Sequence, residues 1–476
     1  MTFTFLRLEW RHIRRDLAFW LTTAVIAAAV VYGLANGFAW GRFQSAAIAK
    51  AETIASEKLA AARVDAARFD VTPSASLNPN LDPRDARGFE FFYLRRFAIL
   101  PPAPAAALAV GQSDLLPYVL RVTYRPRETF LNPYEIENPL RLLLGRFDAT
   151  FVALYLLPLG VLVIAHGLLS REREAGTLAL LSSLPISLPH WLFARFALRG
   201  GLFLGAFVTA TLAGWLSLGG DSRAFGDVSA WLGLTLAYGV FWFALAWYVG
   251  NRALTPSASV LTLAGAWLCL VVVLPASLNL ALKHAYPLPS RAAFQDALRD
   301  GTDEAQRRGS QLLAKYLEDH PELAPGPAPA NENDFFRARF AVNAEVERIA
   351  GPLRAAFSDQ LARQQSAIER LRWLSPALVL HHAALDLAGT DRARHQRWLA
   401  AIGDLHRRMV DFFEPRLLRS AGFRDFDGVP NLQFVESRPA PADWFAALAG
   451  LLLPAFGLAI AGCQVLRRTK SPGSPS

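Results

Sequence analysis

ATFVALYLLPLGVLVIAHGLLSREREAGTLALLSSLPIS, residues 149 to 187, decides the fold class. From Ala149 to Leu169 it carries no Asp, Glu, Lys or Arg, and a helix of about 20 such residues crosses a hydrocarbon core of roughly 30 Å. Charge then arrives abruptly. Arg171, Glu172, Arg173 and Glu174 stand together, followed by Gly176, Thr177, a short apolar run (Leu178, Leu180, Leu181, Leu184) and Pro185, which ends a helix because it has no N–H to give. A second apolar run opens at Leu192. A chain that only had to turn at a membrane surface would need a few polar residues; this loop is a built element.

The same scan finds six apolar runs across the chain: Leu17 to Ala39, Ala149 to Leu169, Leu192 to Leu218, Ala230 to Gly250, Ser257 to Leu282 and Trp444 to Val465. In lipid each must be a helix, which satisfies its own backbone. Hydrophobic residues make up 53% of the chain, above an ordinary soluble composition, while 19% charged residues exceed what lipid-buried segments carry. The expected fold is an all-α polytopic membrane protein with two large insertions, residues 40–148, mixed α/β, and 283–443, mainly helical. Arginines near span ends set the orientation. Arg7, Arg11, Arg14 and Arg15, Arg171 and Arg173, Arg195 and Arg199, Arg252, and Arg467 with Arg468 and Lys470 fall on one side if there are six spans. Both termini and the 170–191 loop are therefore expected in the cytoplasm and both insertions outside it.

The net charge of +9 is explained by these flanks, which also favour anionic lipid, and gives no reason to expect nucleic acid. Residues 1–16 alternate apolar and basic positions as an interfacial amphipathic helix does. The first apolar run is longer than a signal-peptide core and has no small-residue cleavage site after it, so an uncleaved span is expected. The first insertion reads as a helix over Phe43–Phe69, a Pro- and Asn-rich loop over Val71–Asp85 and a β-like run at Val119–Tyr124. The second reads as helices over Arg291–Leu317 and Asp334–Trp373 around the linker Pro321–Ala330, then a helix from Pro376 that breaks at Gly389 and resumes behind Thr390 or Asp391.

The order E-x-E-x-G-T-L…L-x-x-x-P across Glu172, Glu174, Gly176, Thr177, Leu178, Leu181 and Pro185 resembles the coupling loop of ABC-2 type permease subunits. Further matching residues are Pro101, Pro102, Pro104, Gly111, Ser113, Asp114 and Pro117; Glu137, Asn138, Pro139, Gly145, Phe147 and Asp148; Leu157 to Leu159; and, late in the chain, Ser375, Pro376, Ala388 to Asp391, Phe412, Phe413, Pro415, Pro430 and Phe434. These are similar to a subfamily with two large insertions, found in copper-site maturation and gliding-motility clusters. The resemblance implies an exporter subunit of a bacterial inner membrane, partnered by a separate ATP-binding chain and by a second copy or a sibling permease. It implies ATP and Mg on that partner and no cofactor here. Arg171, Glu172, Arg173, Glu174, Gly176, Thr177, Leu178, Leu181 and Pro185 would be the docking element.

Other candidates are plainer. Asp148 is placed to cap the second span, and His166 to sit at an interface. His381 and His382 are helix neighbours, about 100° apart and ill-placed to share a metal. Neither G-x-S-x-G nor H-E-x-x-H occurs, nor any G-x-x-x-x-G-K-[ST] phosphate loop, so no enzyme activity is expected of this chain. Two rival functions stand beside transport: a mechanotransmitting complex acting on an envelope protein, and a scaffold without an ATPase. Cys269 and Cys463 fall in expected spans and leave the insertions free of disulfides.

Overall fold

A computed structural model describes residues 2–71, 82–127, 130, 146–177, 187–252, 254–287, 290–321, 333–418, 422–436 and 441–468. Leu178, Leu181, Pro185, the 322–330 stretch of the linker and most of the loop expected over 71–85 lie outside them. Helix α1, Thr2–Ile13, leads through a short turn into α2, Leu17–Val71. The helix expected over 43–69 is thus continuous with the first span, because only Gly41 interrupts a run of good helix formers and one glycine costs just about 1 kcal/mol. Then come α3 (Ala149–Glu174), α4 (Leu188–Ser217), α5 (Phe225–Gly250) and α6 (Pro256–Ala285). Helices α7 (Arg291–Arg307), α8 (Gly309–Asp319), α9 (Asn333–Leu371), α10 (Pro376–Ala388), α11 (Arg392–Leu418) and α12 (Pro441–Arg468) complete the chain. Six helices, α2 to α6 and α12, are long and apolar enough to cross a membrane. This is a mainly helical, multi-pass membrane protein.

Two of these helices contain a π-helical turn, Val152–Leu156 in α3 and Leu268–Val273 in α6, each followed by a proline. The sequence causes both. Pro158 and Pro275 have no N–H, so the backbone carbonyl behind each loses its donor and the turn widens. The vacancies are filled from other elements: the Tyr238 hydroxyl of α5 donates to the carbonyl of Leu154 at 3.1 Å, and the Ser375 hydroxyl donates to that of Leu270 at 2.7 Å. Ser375 also caps α10, accepting from the N–H of Ala377 and of Leu378. Tyr238→Phe and Ser375→Ala are each expected to lose about 1–2 kcal/mol, read as a lower thermal midpoint in detergent; an unchanged midpoint in both would mean the carbonyls find another donor.

The main core runs through the spans, where Trp215, Trp231, Trp242, Tyr238, Phe203 and Phe207 are fully buried. Helix α10 belongs to it. Val379, Leu380, Ala383, Ala384 and Leu387 pack with the span residues, so one helix of the second insertion packs into the bundle. A second core lies outside the bundle and draws on both insertions: Phe89, Leu120 and Val122 from the first, Trp398, Phe413 and Phe423 from the second. Strand β1, Arg96–Ile99, pairs antiparallel with β2, Val119–Val122, Ala98 opposite Leu120. The backbone of Phe423 donates to the carbonyl of Arg84 at 2.6 Å. The two insertions therefore fold as one body. Long-range burial of aromatics drives this, which local periodicity does not reveal.

The helix expected over Arg291–Leu317 is two, α7 and α8, and α10 ends where expected, with Gly389 in the left-handed region at φ 64°. Of the two candidates to cap α11, Asp391 does so, accepting from the N–H of Arg394 at 2.8 Å.

Candidate functional site

Arg195 and Arg199 stand four residues apart near the start of α4, hence on one face. Both are buried, and a buried guanidinium requires a partner. Glu9 of α1 supplies it, one oxygen to each: Oε2 lies 2.9 Å from Arg195 Nε and Oε1 lies 2.6 Å from Arg199 Nε. The remaining donors reach outward. Arg195 Nη1 meets Glu172 Oε1 at 2.9 Å and the carbonyl of Leu168 at 3.1 Å, while Arg199 Nη1 meets Asp16 Oδ2 at 2.9 Å. Asp16 in turn accepts from the N–H of Phe19, capping α2. Five charged side chains thus join α1, the start of α2, the end of α3 and α4 at one end of the bundle.

This junction divides the loop after α3. Glu172 points inward to Arg195 and accepts from the Thr177 hydroxyl. Arg171, Glu174 and Gly176 are exposed. Gly176 sits at φ +73° with open space where a Cβ would go, a conformation an L side chain enters at a cost of about 1–2 kcal/mol. Arg173 is half-buried. Sequence reading singled out the loop and passed over Glu9 and Asp16, its partners at one remove. A signal existed: Glu9 is an acid in an otherwise basic helix, and Arg195 and Arg199 are paired charges in an apolar one.

The other end of the bundle is organised by Asp148, which does more than cap. Its Oδ1 accepts from the N–H of Phe151 at 2.7 Å, and its Oδ2 from Val110 and Gly111 at 2.8 and 3.1 Å. That clasps the loop 101–111 onto α3. The Thr150 hydroxyl donates to the carbonyl of Leu108 and receives the indole N–H of Trp231, and the Thr390 hydroxyl donates to the carbonyl of Ala109. Burial pushes the Asp148 carboxyl up to about 6, with the backbone N–H groups pulling the other way. Because the folded value lies above the ordinary 3.8, this group's stabilising contribution is complete below that value and is lost as pH rises through about 6. Expected, then, is a wild-type thermal midpoint that falls relative to that of Asp148→Asn between pH 4 and 6; parallel profiles would contradict the assignment.

Beside this clasp lies a cavity of about 540 Å³ walled by Asp227, Glu369, Asp386, Asp391, Asp443 and Arg397 among others. Its lining is net acidic, and burial with the nearby Asp391 charge raises the Asp386 carboxyl to about 7. Arg394 is held in the wall by Glu436 and by the carbonyl of Pro101. His382 Nδ1 lies against the carbonyl of Leu378, and the His381 and His382 rings meet edge to face at 5.8 Å. At the other end His166 Nδ1 sits 3.0 Å from the carbonyl of Leu162.

Residues 291–434, from α7 past the end of α11, match a family described as a domain of unknown function, DUF3526. No curated protein and no solved structure matches the chain.

Proposed function

We propose that this chain is the membrane subunit of an ABC-2 type exporter, driven by a separate ATP-binding chain that docks on the exposed part of the loop after α3. The observation that carries the reading is the division of that loop. Glu172 is committed to the buried junction, while its chain neighbours Arg171, Glu174 and Gly176 present a charged, conformationally special surface. A surface wired in this way passes a push directly to α1, α2 and α4, which is what a transmission element requires. The junction lies at the arginine-rich end of the bundle, so the proposal places that end in the cytoplasm of a bacterium and the two-insertion body outside. ATP and Mg belong to the partner, and two copies of this chain, or this chain with a sibling, form the pathway. A complex that uses the same push on an envelope protein, without moving a solute, is the second reading; the body built jointly by both insertions favours it.

Glu174→Ala is expected to leave the protein inserted with an unchanged thermal midpoint, and Gly176→Val to leave it inserted at a cost of about 1–2 kcal/mol, while each reduces co-purification of the ATP-binding chain and its stimulated turnover at least about tenfold, a loss of about 1.4 kcal/mol in coupling. Full co-purification and turnover in both variants would remove this surface from the docking site. Transport into vesicles, followed alongside turnover, separates export from mechanical work on an envelope protein.

A further inference from the structure

Helix α1 has two faces of opposite character. Glu9 and Ile13 are buried against the bundle. On the other side, Arg7, Arg11 and Arg14, spaced at i, i+4 and i+7, form one exposed stripe, with Arg15 beside it. Among the described residues, the ion pairs of α1 run from its buried side, at Glu9. Exposed apolar residues flank the stripe: Leu8 and Trp10 on α1, then Leu17, Trp20 and Leu21 at the start of α2. The last three lie on a helix long and apolar enough to cross the bilayer, so the apolar flank continues into the lipid-facing surface while the arginines stand at headgroup level. Arginine stripe, interfacial tryptophan and continuity with a span together match the chemistry of an anionic leaflet.

We propose that the outward face of α1 seats anionic phospholipid headgroups, and that a seated α1 presses Glu9 onto Arg195 and Arg199, so leaflet charge braces the junction. The helix is short and rigid, with headgroups on one side and the Glu9 carboxylate on the other. Losing the headgroups frees α1 to lift, which takes Glu9 from Arg195 and loosens the hold of Arg195 on Glu172 and on the carbonyl of Leu168, so the chain at Arg171 and Arg173 opens to protease more readily. This does not depend on the exporter reading, and its test needs no ATP-binding chain.

The full-length protein, with Cys269 and Cys463 replaced by Ala and an environment-sensitive fluorophore on Leu8→Cys, is placed in nanodiscs of phosphatidylcholine alone or with one quarter phosphatidylglycerol. In the anionic discs the label is expected to shift to the blue, and trypsin cleavage after Arg171 and Arg173 to slow severalfold. Both effects should fade at high salt and vanish in the double variant Arg7→Glu, Arg11→Glu. They should survive in Arg7→Lys, Arg11→Lys, which keeps the charge and tests the face even if charge reversal prevents folding. Identical label spectra in the two lipids would overturn headgroup binding, as would a shift that appears only when an acidic protein is added. Unequal spectra with equal cleavage rates would overturn the bracing.

Discussion

Replacing Glu9 with Gln is expected to destabilise the protein by about 3–5 kcal/mol, because it removes the one buried carboxylate that two buried guanidinium groups share and leaves each only a partly exposed one, Glu172 for Arg195 and Asp16 for Arg199. Glu9 is 4% exposed, and Arg195 and Arg199 are 11% and 9% exposed, so water cannot take over its part. Glutamine can accept through one oxygen only, which serves one arginine and leaves the other facing an amide N–H₂. Glu172→Gln is expected to cost far less, about 1 kcal/mol, because Glu172 is 27% exposed and Arg195 keeps both Glu9 and the carbonyl of Leu168. Thermal midpoints in detergent, or in discs of fixed lipid, rank the two. A Glu9→Gln protein as stable as Glu172→Gln would show that the junction relaxes around the loss. Full stability in Glu9→Gln paired with Arg199→Met would show that a single arginine needs no more than Gln offers.

Gly37→Ala is expected to be the most damaging small substitution in the first span, costing more than about 3 kcal/mol. A Cβ there would lie 2.1 Å from the carbonyl oxygen of Ala107 and 2.8 Å from two further backbone atoms of that residue, and one on Gly33 would lie 2.6 Å from the carbonyl of Asp148. The obstacles are backbone, fixed by Asp148 and Thr150, so no side chain can swing aside. Gly41, one turn farther along the same helix, has nothing within 4 Å of its would-be Cβ, and Gly41→Ala should stabilise slightly, by about 1 kcal/mol, through helix propensity. Comparing the yield and midpoint of the two alanine variants isolates the contact from the propensity. Equal behaviour would mean that α2 can retreat from the 101–111 loop.

Gly33 and Gly37 form a G-x-x-x-G pair inside an apolar run, a pattern that marks close backbone approach in membranes. Such spacing signals a close approach but not its partner, which here is a loop and the N-terminus of α3 rather than a second helix. Capping by Asp148 was legible, since an acid before an apolar run is placed to accept from the first turn. Its hold on Val110 and Gly111 was not, because the loop is 37 residues away in the chain and nothing local to either segment records the other.

The sequence by itself determined the six apolar helices, since only an internally bonded segment of that length satisfies its backbone in lipid. It also determined the break at Gly389, and the widened turns of α3 and α6 trace to their prolines, because those residues act on their own turn of chain. Tertiary structure alone decided which charges are buried together. Glu9 and Arg195 are far apart in sequence, and a guanidinium flanking a span serves topology equally well whether it faces water or a carboxylate. It also decided that both insertions share one core and that α10 belongs to the bundle, for apolar burial is blind to chain order: Phe89 packs with Phe423, and Ser375 fills the vacancy that Pro275 makes, wherever folding brings them within reach.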